Sequence, residues 1–194
     1  MTDERQGDWS QTFTGRMFWP LDPRAEDVCI EDIAHSLALQ CRFAGHCREP
    51  YSVAEHSVRA ALYVREMLGD EGRADPDRHG EELAALLHDA SEAYLADVIR
   101  PVKRRPMMES YRNVERVIQS MVNEWAGLRK FAHKSLLVHE ADEVMLATEA
   151  RDLMTTHPAE WNLRADPMPG VIVPWDWRTA EAKFLAMYYE LRIK

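Results

Sequence analysis

The sequence is poor in the residues and patterns that mark several large classes of protein. Its three cysteines are an odd number and are spaced unlike CxxC pairs, which argues against a disulfide framework or a thiolate zinc knuckle. Only 8 of 194 residues are glycine and 10 are proline, so a collagenous or low-complexity chain is excluded. No apolar run approaches the ~18 residues that cross a bilayer, and the opening MTDERQGDWS is acidic and polar. We therefore expect a soluble cytoplasmic protein with no membrane partner.

The chain also lacks a surplus of basic residues. It has 24 Lys and Arg against 33 Asp and Glu, a net charge of -9. Binding to a long polyanion relies on an excess of Lys and Arg, so the balance argues against a nucleic-acid polymer as partner. It does not argue against a small anion that is held through a metal ion.

What the sequence does contain is enough apolar surface for a folded core. Hydrophobic residues make up 46% of the chain, enough to offset the entropy lost on ordering the backbone. At this length, a single compact domain over residues 1–194 is the expectation, with residues 1–29 as an N-terminal arm.

Helical periodicity dominates the rest of the chain. It predicts helices over residues 30–43, 52–68, 81–96, 108–126, 131–155 and 178–192. Ser52-x-x-Glu55 is a capping box that begins the second helix, and Gly45 stands where a cap would end the first. The strand-like run at 170–177 is short and contains a proline. These patterns predict an all-α, compact multi-helix bundle.

The clearest chemical signal is the pair His88-Asp89 within the apolar string LLHDASEA. An imidazole and a carboxylate in an apolar helix cost several kcal/mol unless a charge or hydrogen bonds compensate, and a metal ion would do so. Glu92 follows His88 by four residues, so a continuous helix would put both on one face. A lone His-Asp pair in a core is the alternative interpretation.

Two more predicted helices supply matching groups, His56 in one and Asp142 in the other. Two His and two Asp suit a divalent ion such as Mn, Co, Fe, Zn, Ni or Mg, with positions left open for water and substrate. Such an ion activates water and polarises a phosphoryl oxygen, so phosphate esters are natural substrates. The sequence thus predicts a hydrolytic metal site.

Other polar and aromatic groups leave alternatives open. A basic run could be a solvated loop or could contact phosphate, with Lys103 favoured; it comprises Arg100, Lys103, Arg104 and Arg105. Phe18 and Trp19, near Arg16, could cap the core or stack on a nucleobase. A zinc cluster is a weaker alternative, and it would use Cys41, His46, Cys47 and His56.

The order His56, His88-Asp89, Asp142 resembles the HD superfamily of metal-dependent phosphohydrolases. The strings YSVAEHS, LLHDASEAYLADVIRPVK and HEADEV, and the helix with Tyr111 and Glu115, are similar to its 5′-deoxynucleotidase branch. The opening TGRMFWPLDP and the string IEDIAHSLALQCRFAGH look closer still to bacterial and phage members, including dATP triphosphohydrolases. The resemblance covers roughly residues 12–155.

This resemblance implies a role for each matching residue. The metal ligands would be His56, His88, Asp89 and Asp142. Glu92 would be catalytic and would position or exchange a proton with the attacking water. The implied substrate contacts are Asp97 near the sugar, Lys103 and Arg16 at phosphate, and Trp19 at base or sugar. The arm would then contribute to the substrate pocket, and a homo-oligomer is implied because family members generally form dimers or larger assemblies.

The sequence is compatible with three functions. The first is hydrolysis of a deoxynucleotide between its 5′-oxygen and the α-phosphorus. The second is a triphosphohydrolase that attacks the same phosphorus and releases triphosphate, because the long arm before His56 departs from the simpler nucleotidases. The third is a module that binds a nucleotide without hydrolysing it. The intact ligand positions and Glu92 favour an enzyme.

Overall fold

A computed structural model describes residues 5–69, 76–128, 135–157 and 159–192, and within them the chain is mostly helical. The α-helices are α1 Ile30–Leu39, α2 Val53–Leu68, α3 Pro76–Leu86, α4 Arg100–Lys103, α5 Glu109–Trp125, α6 Leu136–Leu153 and α7 Trp177–Leu191. Short 3₁₀ turns cover Ala25–Asp27, Arg42–Gly45, Ala90–Ala93 and Pro106–Met108. The prediction of an all-α bundle is confirmed.

Helix α2 lies at the centre of the bundle and packs against α1, α3, α6 and α7. Its apolar face is almost completely covered, including Val53, Ala61 and Val64. Ser52 caps the helix by accepting a hydrogen bond from the Glu55 N–H, at 3.1 Å. The reciprocal half of the predicted capping box does not form, since the Glu55 carboxylate accepts from Arg59 and from the Trp175 N–H instead.

Several predicted boundaries agree with the structure and others were wrong. The predictions for α5 and α7 are confirmed within about one residue. Helix α1 ends at Leu39, and Gln40 caps it rather than Gly45. The basic segment predicted as a loop contains the short helix α4. The stretch at 171–176 is irregular and contains no strand, as its proline indicated. Residues 131–134 of the predicted fifth helix lie outside the described residues.

The N-terminal arm contains a small hairpin that the sequence patterns did not predict. Its strands β1 Ser10–Gln11 and β2 Met17–Phe18 pair antiparallel, with Ser10 opposite Phe18. The turn is fastened to α1, because the Thr14 N–H and hydroxyl both donate to the Asp32 carboxylate. Phe18 is fully buried and stacks on Tyr94 at 3.9 Å between ring centroids. The arm is therefore part of the packed fold.

Within the described ranges, no helix combines the length and the apolar character needed to cross a membrane.

Candidate metal centre

The His88-Asp89 pair lies in a turn, where the sequence predicted one continuous helix. Helix α3 ends at Leu86, and Asp89 has φ -108° and ψ 16°, outside the helical region. The chain then enters the 3₁₀ turn Ala90–Ala93, which contains Glu92. The expectation that Glu92 and His88 share one helical face was therefore wrong. The break brings both His88 and Asp89 to the end of α3, where they point at other elements.

A glutamine on α5 holds this turn from outside the segment. The Gln119 Nε2 donates to the Leu87 carbonyl at 2.8 Å, and its Oε1 accepts from the Ser91 N–H at 3.0 Å. The two hydrogen bonds hold the backbone of the turn at Leu87, before His88 and Asp89, and at Ser91, after them. Backbone groups that leave the helical pattern are thereby satisfied. A helical period cannot reveal this contact, because Gln119 is 28 residues from Ser91.

The four predicted ligands converge on one point. Nε2 of His56 lies 3.3 Å from Nε2 of His88 and 3.5 Å from Oδ1 of Asp142. Oδ2 of Asp89 lies 3.1 Å from Nε2 of His88 and 3.8 Å from Nε2 of His56. His56, His88 and Asp142 offer ligand atoms that all lie within 4.8 Å of one another. The structure thus brings together residues from α2, the turn after α3, and α6.

The hydrogen bonds of the two imidazoles fix which nitrogen faces the centre. His88 Nδ1 lies 2.7 Å from the Ala85 carbonyl, which can only accept, so Nδ1 carries the proton. His56 Nδ1 lies 2.6 Å from Oε1 of Glu149, a buried carboxylate. When both imidazoles are neutral, both Nε2 atoms are acceptors 3.3 Å apart, an arrangement that needs a cation or a proton between them. Metal-binding histidines use their second nitrogen in this way, so the donor set fits a divalent ion.

Two charged residues behind the centre were missed by the sequence analysis. Arg42 donates through Nε to Glu149 Oε2 at 3.0 Å, and its Nη1 lies 3.7 Å from Asp89 Oδ2. Arg42, Glu149 and His56 are all buried. The guanidinium therefore joins the carboxylate behind His56 to a predicted ligand. Glu149 could have been found, because it follows Asp142 by seven residues, two turns of the same helix. We find no signal for Arg42.

This buried network shifts the pKa values of its members. Burial and the nearby Arg42 disfavour a charged His56, but the carboxylates of Glu149 and Asp142 outweigh them and raise its pKa to about 9. Burial opposes ionisation of Asp89, yet the neighbouring imidazoles, that of His88 first, hold its pKa below its usual range. The centre therefore keeps a carboxylate charged and attracts positive charge, whether a proton or a metal ion.

Glu92, the predicted catalytic residue, lies beside the centre in a different electrostatic state. Burial, followed by the charges of Asp89 and Asp97, raises its pKa to about 9. Lys103 Nζ approaches Glu92 Oε1 at 3.5 Å and also pairs with Glu115. Among the described residues, nothing hydrogen-bonds the other buried oxygen, Oε2 of Glu92. A protonated carboxyl with a free oxygen can exchange a proton with a neighbouring molecule.

Asp97 is tied to the same segment through one side chain. The Gln40 Oε1 accepts from the Asp97 N–H at 3.0 Å, while its Nε2 donates to the Glu92 carbonyl, also at 3.0 Å. Burial raises the pKa of Asp97, and the negative charge of Asp89 adds to the effect. The end of α1 therefore positions both predicted acidic residues relative to the centre.

The two predicted arm contacts have partners away from this centre. Arg16 donates to the Glu26 carbonyl at 3.3 Å, and the Trp19 ring lies under the guanidinium of Arg5 at 4.2 Å. Their assignment to substrate stays a prediction. Cys41 and Cys47 are free thiols. The group of possible metal ligands that the described residues form is His56, His88 and Asp142, without the cysteines of the zinc alternative.

The fold and these contacts define a helical protein with a His/Asp centre suited to a divalent cation. No protein-family model matches the chain. The uncharacterized protein YfdR of Escherichia coli (strain K12) is 37% identical over 151 residues, which are 78% of this chain and 75% of YfdR. An uncharacterized protein of Rhodobacter capsulatus is 48% identical over 99 residues, 49% of this chain and 46% of that protein. The chain belongs to the family of YfdR.

Proposed function

We propose that the protein is a metal-dependent phosphohydrolase of the HD type that cleaves deoxynucleotides between the 5′-oxygen and the α-phosphorus. The observation that carries this proposal is the pair of facing Nε2 acceptors of His56 and His88, 3.3 Å apart, with Asp89 and Asp142 beside them. Both imidazoles have their Nδ1 committed to acceptors elsewhere. A divalent ion satisfies all these groups together.

When bound, such an ion supplies a Lewis acid that activates water and withdraws charge from a phosphoryl oxygen. The chain's own residues do the rest. Glu92, with a raised pKa and a free buried oxygen, exchanges a proton with the attacking water or the leaving oxygen. Arg42 and Glu149 hold His56 and Asp89 in orientation from behind.

Basic side chains on the open side suit a phosphorylated substrate. Lys103 lies next to Glu92, and Arg100 lies 3.6 Å from Asp142 Oδ2 and 3.1 Å from Glu143 Oε1. These cations stand near enough to the centre to contact phosphoryl oxygens and to stabilise charge that develops there. They support a small anionic substrate although the whole chain is acidic.

A triphosphohydrolase is the second candidate within the same chemistry. Arg100 is exposed and lies beside the predicted ligand Asp142, so it could accompany a longer phosphate chain. Both candidates attack the α-phosphorus and release the nucleoside through its 5′-oxygen. They differ in the other product, which is phosphate in one case and triphosphate in the other. We retain the monophosphate as the first candidate. A nucleotide-binding module without turnover remains the alternative of another class.

The test is a screen of nucleoside mono- and triphosphates with Mn, Co, Mg and Zn, with products identified by mass. We expect phosphate or triphosphate release by the wild-type protein. Asp89→Ala and Asp142→Asn should lose bound metal and lower turnover about a thousandfold or more, since the ion supplies several kcal/mol of stabilisation. Glu140→Gln is the control, because Glu140 lies on the exposed side of α6, two residues from Asp142.

Three outcomes would contradict the proposal. The first is activity that survives both aspartate substitutions in variants that fold normally by circular dichroism. The second is the absence of bound metal after purification and reloading. The third is tight nucleotide binding with no turnover under any ion, which would favour the sensing module.

A further inference from the structure

Phe18 and Trp19, the two arm rings that could stack on a nucleobase, already contact other side chains. Phe18 is 0% exposed and stacks on Tyr94. Trp19 is covered by the guanidinium of Arg5. A nucleobase that stacked on Phe18 would have to displace the core. Of the two interpretations left open for Phe18, the structure therefore supports packing in the core.

A second aromatic cluster lies beside the candidate metal centre. Trp161 stacks on His157 with ring centroids 5.0 Å apart and an angle of 15° between the planes. Phe43 meets Trp161 at 6.0 Å and 54°. The His157 ring is itself held in place, because its Nε2–H donates to the Ala150 carbonyl at 3.1 Å. Trp161 remains 38% exposed, so part of the indole faces solvent.

A short series of contacts joins this cluster to the predicted ligands. The Phe43 ring lies 5.4 Å from the guanidinium carbon of Arg42. The same guanidinium reaches Asp89 Oδ2 at 3.7 Å and Glu149 Oε2 at 3.0 Å. On the other side, the anchor of His157 is Ala150, the residue next to Glu149. The aromatic cluster is thus one arginine side chain away from the centre.

The backbone at Phe43 is held in a conformation that L residues seldom adopt. Phe43 has φ 55° and ψ 30°, and Ala44 has φ 52° and ψ 32°. Left-handed backbone is unfavourable for a bulky side chain, and such strain concentrates where ligands are clamped. A turn that served only to connect α1 and α2 could use glycine here, as it does at Gly45 with φ 79°. The strain directs an aromatic ring towards Arg42.

We propose that Trp161, with Phe43 beside it, forms the subsite that stacks the nucleobase of the substrate. This inference rests on the proposed function, because it requires a nucleotide whose phosphate lies at the His/Asp centre. The flat, partly exposed indole offers a π face to any base, and the Phe43 ring lies between it and the guanidinium of Arg42. The subsite recognises a purine or pyrimidine ring through stacking, so discrimination among bases is modest.

The test compares a nucleotide with the same phosphate ester without its base. Wild type, Trp161→Ala and Trp161→Phe are assayed on a deoxynucleoside 5′-monophosphate and on 2-deoxyribose 5-phosphate. Trp161→Ala should raise KM for the nucleotide about 5- to 100-fold, the range expected for loss of one stacked base. It should leave KM for the sugar phosphate unchanged. Trp161→Phe should have a KM for the nucleotide close to that of the wild type. Trp9→Ala, at a tryptophan of the arm that is 51% exposed, should leave KM for both substrates unchanged.

A binding experiment separates this inference from the proposed function. Isothermal titration of a non-hydrolysable deoxynucleotide should show weaker binding to Trp161→Ala than to wild type, whether or not the protein hydrolyses nucleotides. Equal binding, or equal losses on both substrates, would overturn the base subsite while leaving phosphohydrolysis intact. If the wild type binds the nucleotide without turnover and Trp161→Ala binds it more weakly, the result would support the subsite and count against the enzyme. Thermal unfolding of each variant confirms that it is folded.

Discussion

The candidate centre has a buried side and an open side, and the two are built differently. On the buried side, Glu149 is 0% exposed and makes short, directional hydrogen bonds to His56 and Arg42. On the open side, Arg100 is 39% exposed and makes longer ion pairs with Asp142 and Glu143. Buried charges must be paired and hydrogen-bonded, whereas exposed ones are screened by water.

The difference shows which part of the centre is fixed before any ligand arrives. The buried side sets the proton positions of both imidazoles and places the Arg42 guanidinium beside Asp89. The open side has side chains that can exchange their partners for a substrate at little cost. Substitutions on the buried side should therefore affect stability and metal affinity, and substitutions on the open side should affect substrate binding.

The largest expected effect on the free energy of unfolding is that of Glu149→Gln. The change removes the carboxylate that pairs with His56 and Arg42 and leaves a buried guanidinium partly uncompensated. We expect a loss of about 3 kcal/mol in the free energy of unfolding and a 10- to 100-fold loss of metal affinity. Urea unfolding and a metal titration measure the two quantities.

The control for this substitution is Glu140→Gln on the exposed side of the same helix. It should change the free energy of unfolding by less than about 0.5 kcal/mol. If the two variants were equally stable and bound metal equally well, the buried side would contribute no more than the surface. The comparison between the two sides would then fail.

A smaller and pH-dependent effect is expected for Glu92→Gln. The folded protein holds the proton of Glu92 up to about pH 9, while the unfolded chain releases it near its ordinary pKa of 4.5. Burial therefore makes the wild type less stable as pH rises from 4.5 to 9. Glutamine removes this penalty, so the metal-free variant should be about 2 kcal/mol more stable than wild type at pH 7.

The measurement for Glu92→Gln is urea unfolding between pH 4.5 and 8 in the presence of a chelator. The gain in stability should shrink towards zero as the pH falls to 4.5. Glu92 of the wild type then carries its proton in the folded state and increasingly also in the unfolded chain. The same variant should lose hydrolysis. A constant difference across this pH range would show that Glu92 does not hold its proton in the folded state.

The smallest effect on stability is expected for Arg100→Ala. Its ion pairs with Asp142 and Glu143 are partly open to solvent and should contribute less than about 1 kcal/mol to the free energy of unfolding. Its effect on KM should be several-fold larger for a triphosphate than for a monophosphate if the second candidate function is correct. Arg104→Ala, also at an exposed basic residue of this segment, is the control. Equal KM changes for both substrates would remove Arg100 from phosphate recognition.

Sequence alone predicted the helices whose burial pattern is regular. The spans of α5 and α7 follow from apolar residues at helical spacing, and α2 begins after Ser52 as its hydroxyl indicates. The arm hairpin was missed because two-residue strands carry no periodicity. The helix predicted over 81–96 ends at Leu86, and Gln119 on α5 holds the turn that follows it.

The sequence selected His56, His88, Asp89 and Asp142 as candidate ligands, because polar groups in apolar helices need partners. Only the tertiary structure decided that Arg42 and Glu149, 107 residues apart, stand behind them. It also decided that Phe18 is core while Trp161 is open to solvent. Periodicity reports how each segment is buried along its own length, whereas these contacts depend on how segments pack across the bundle.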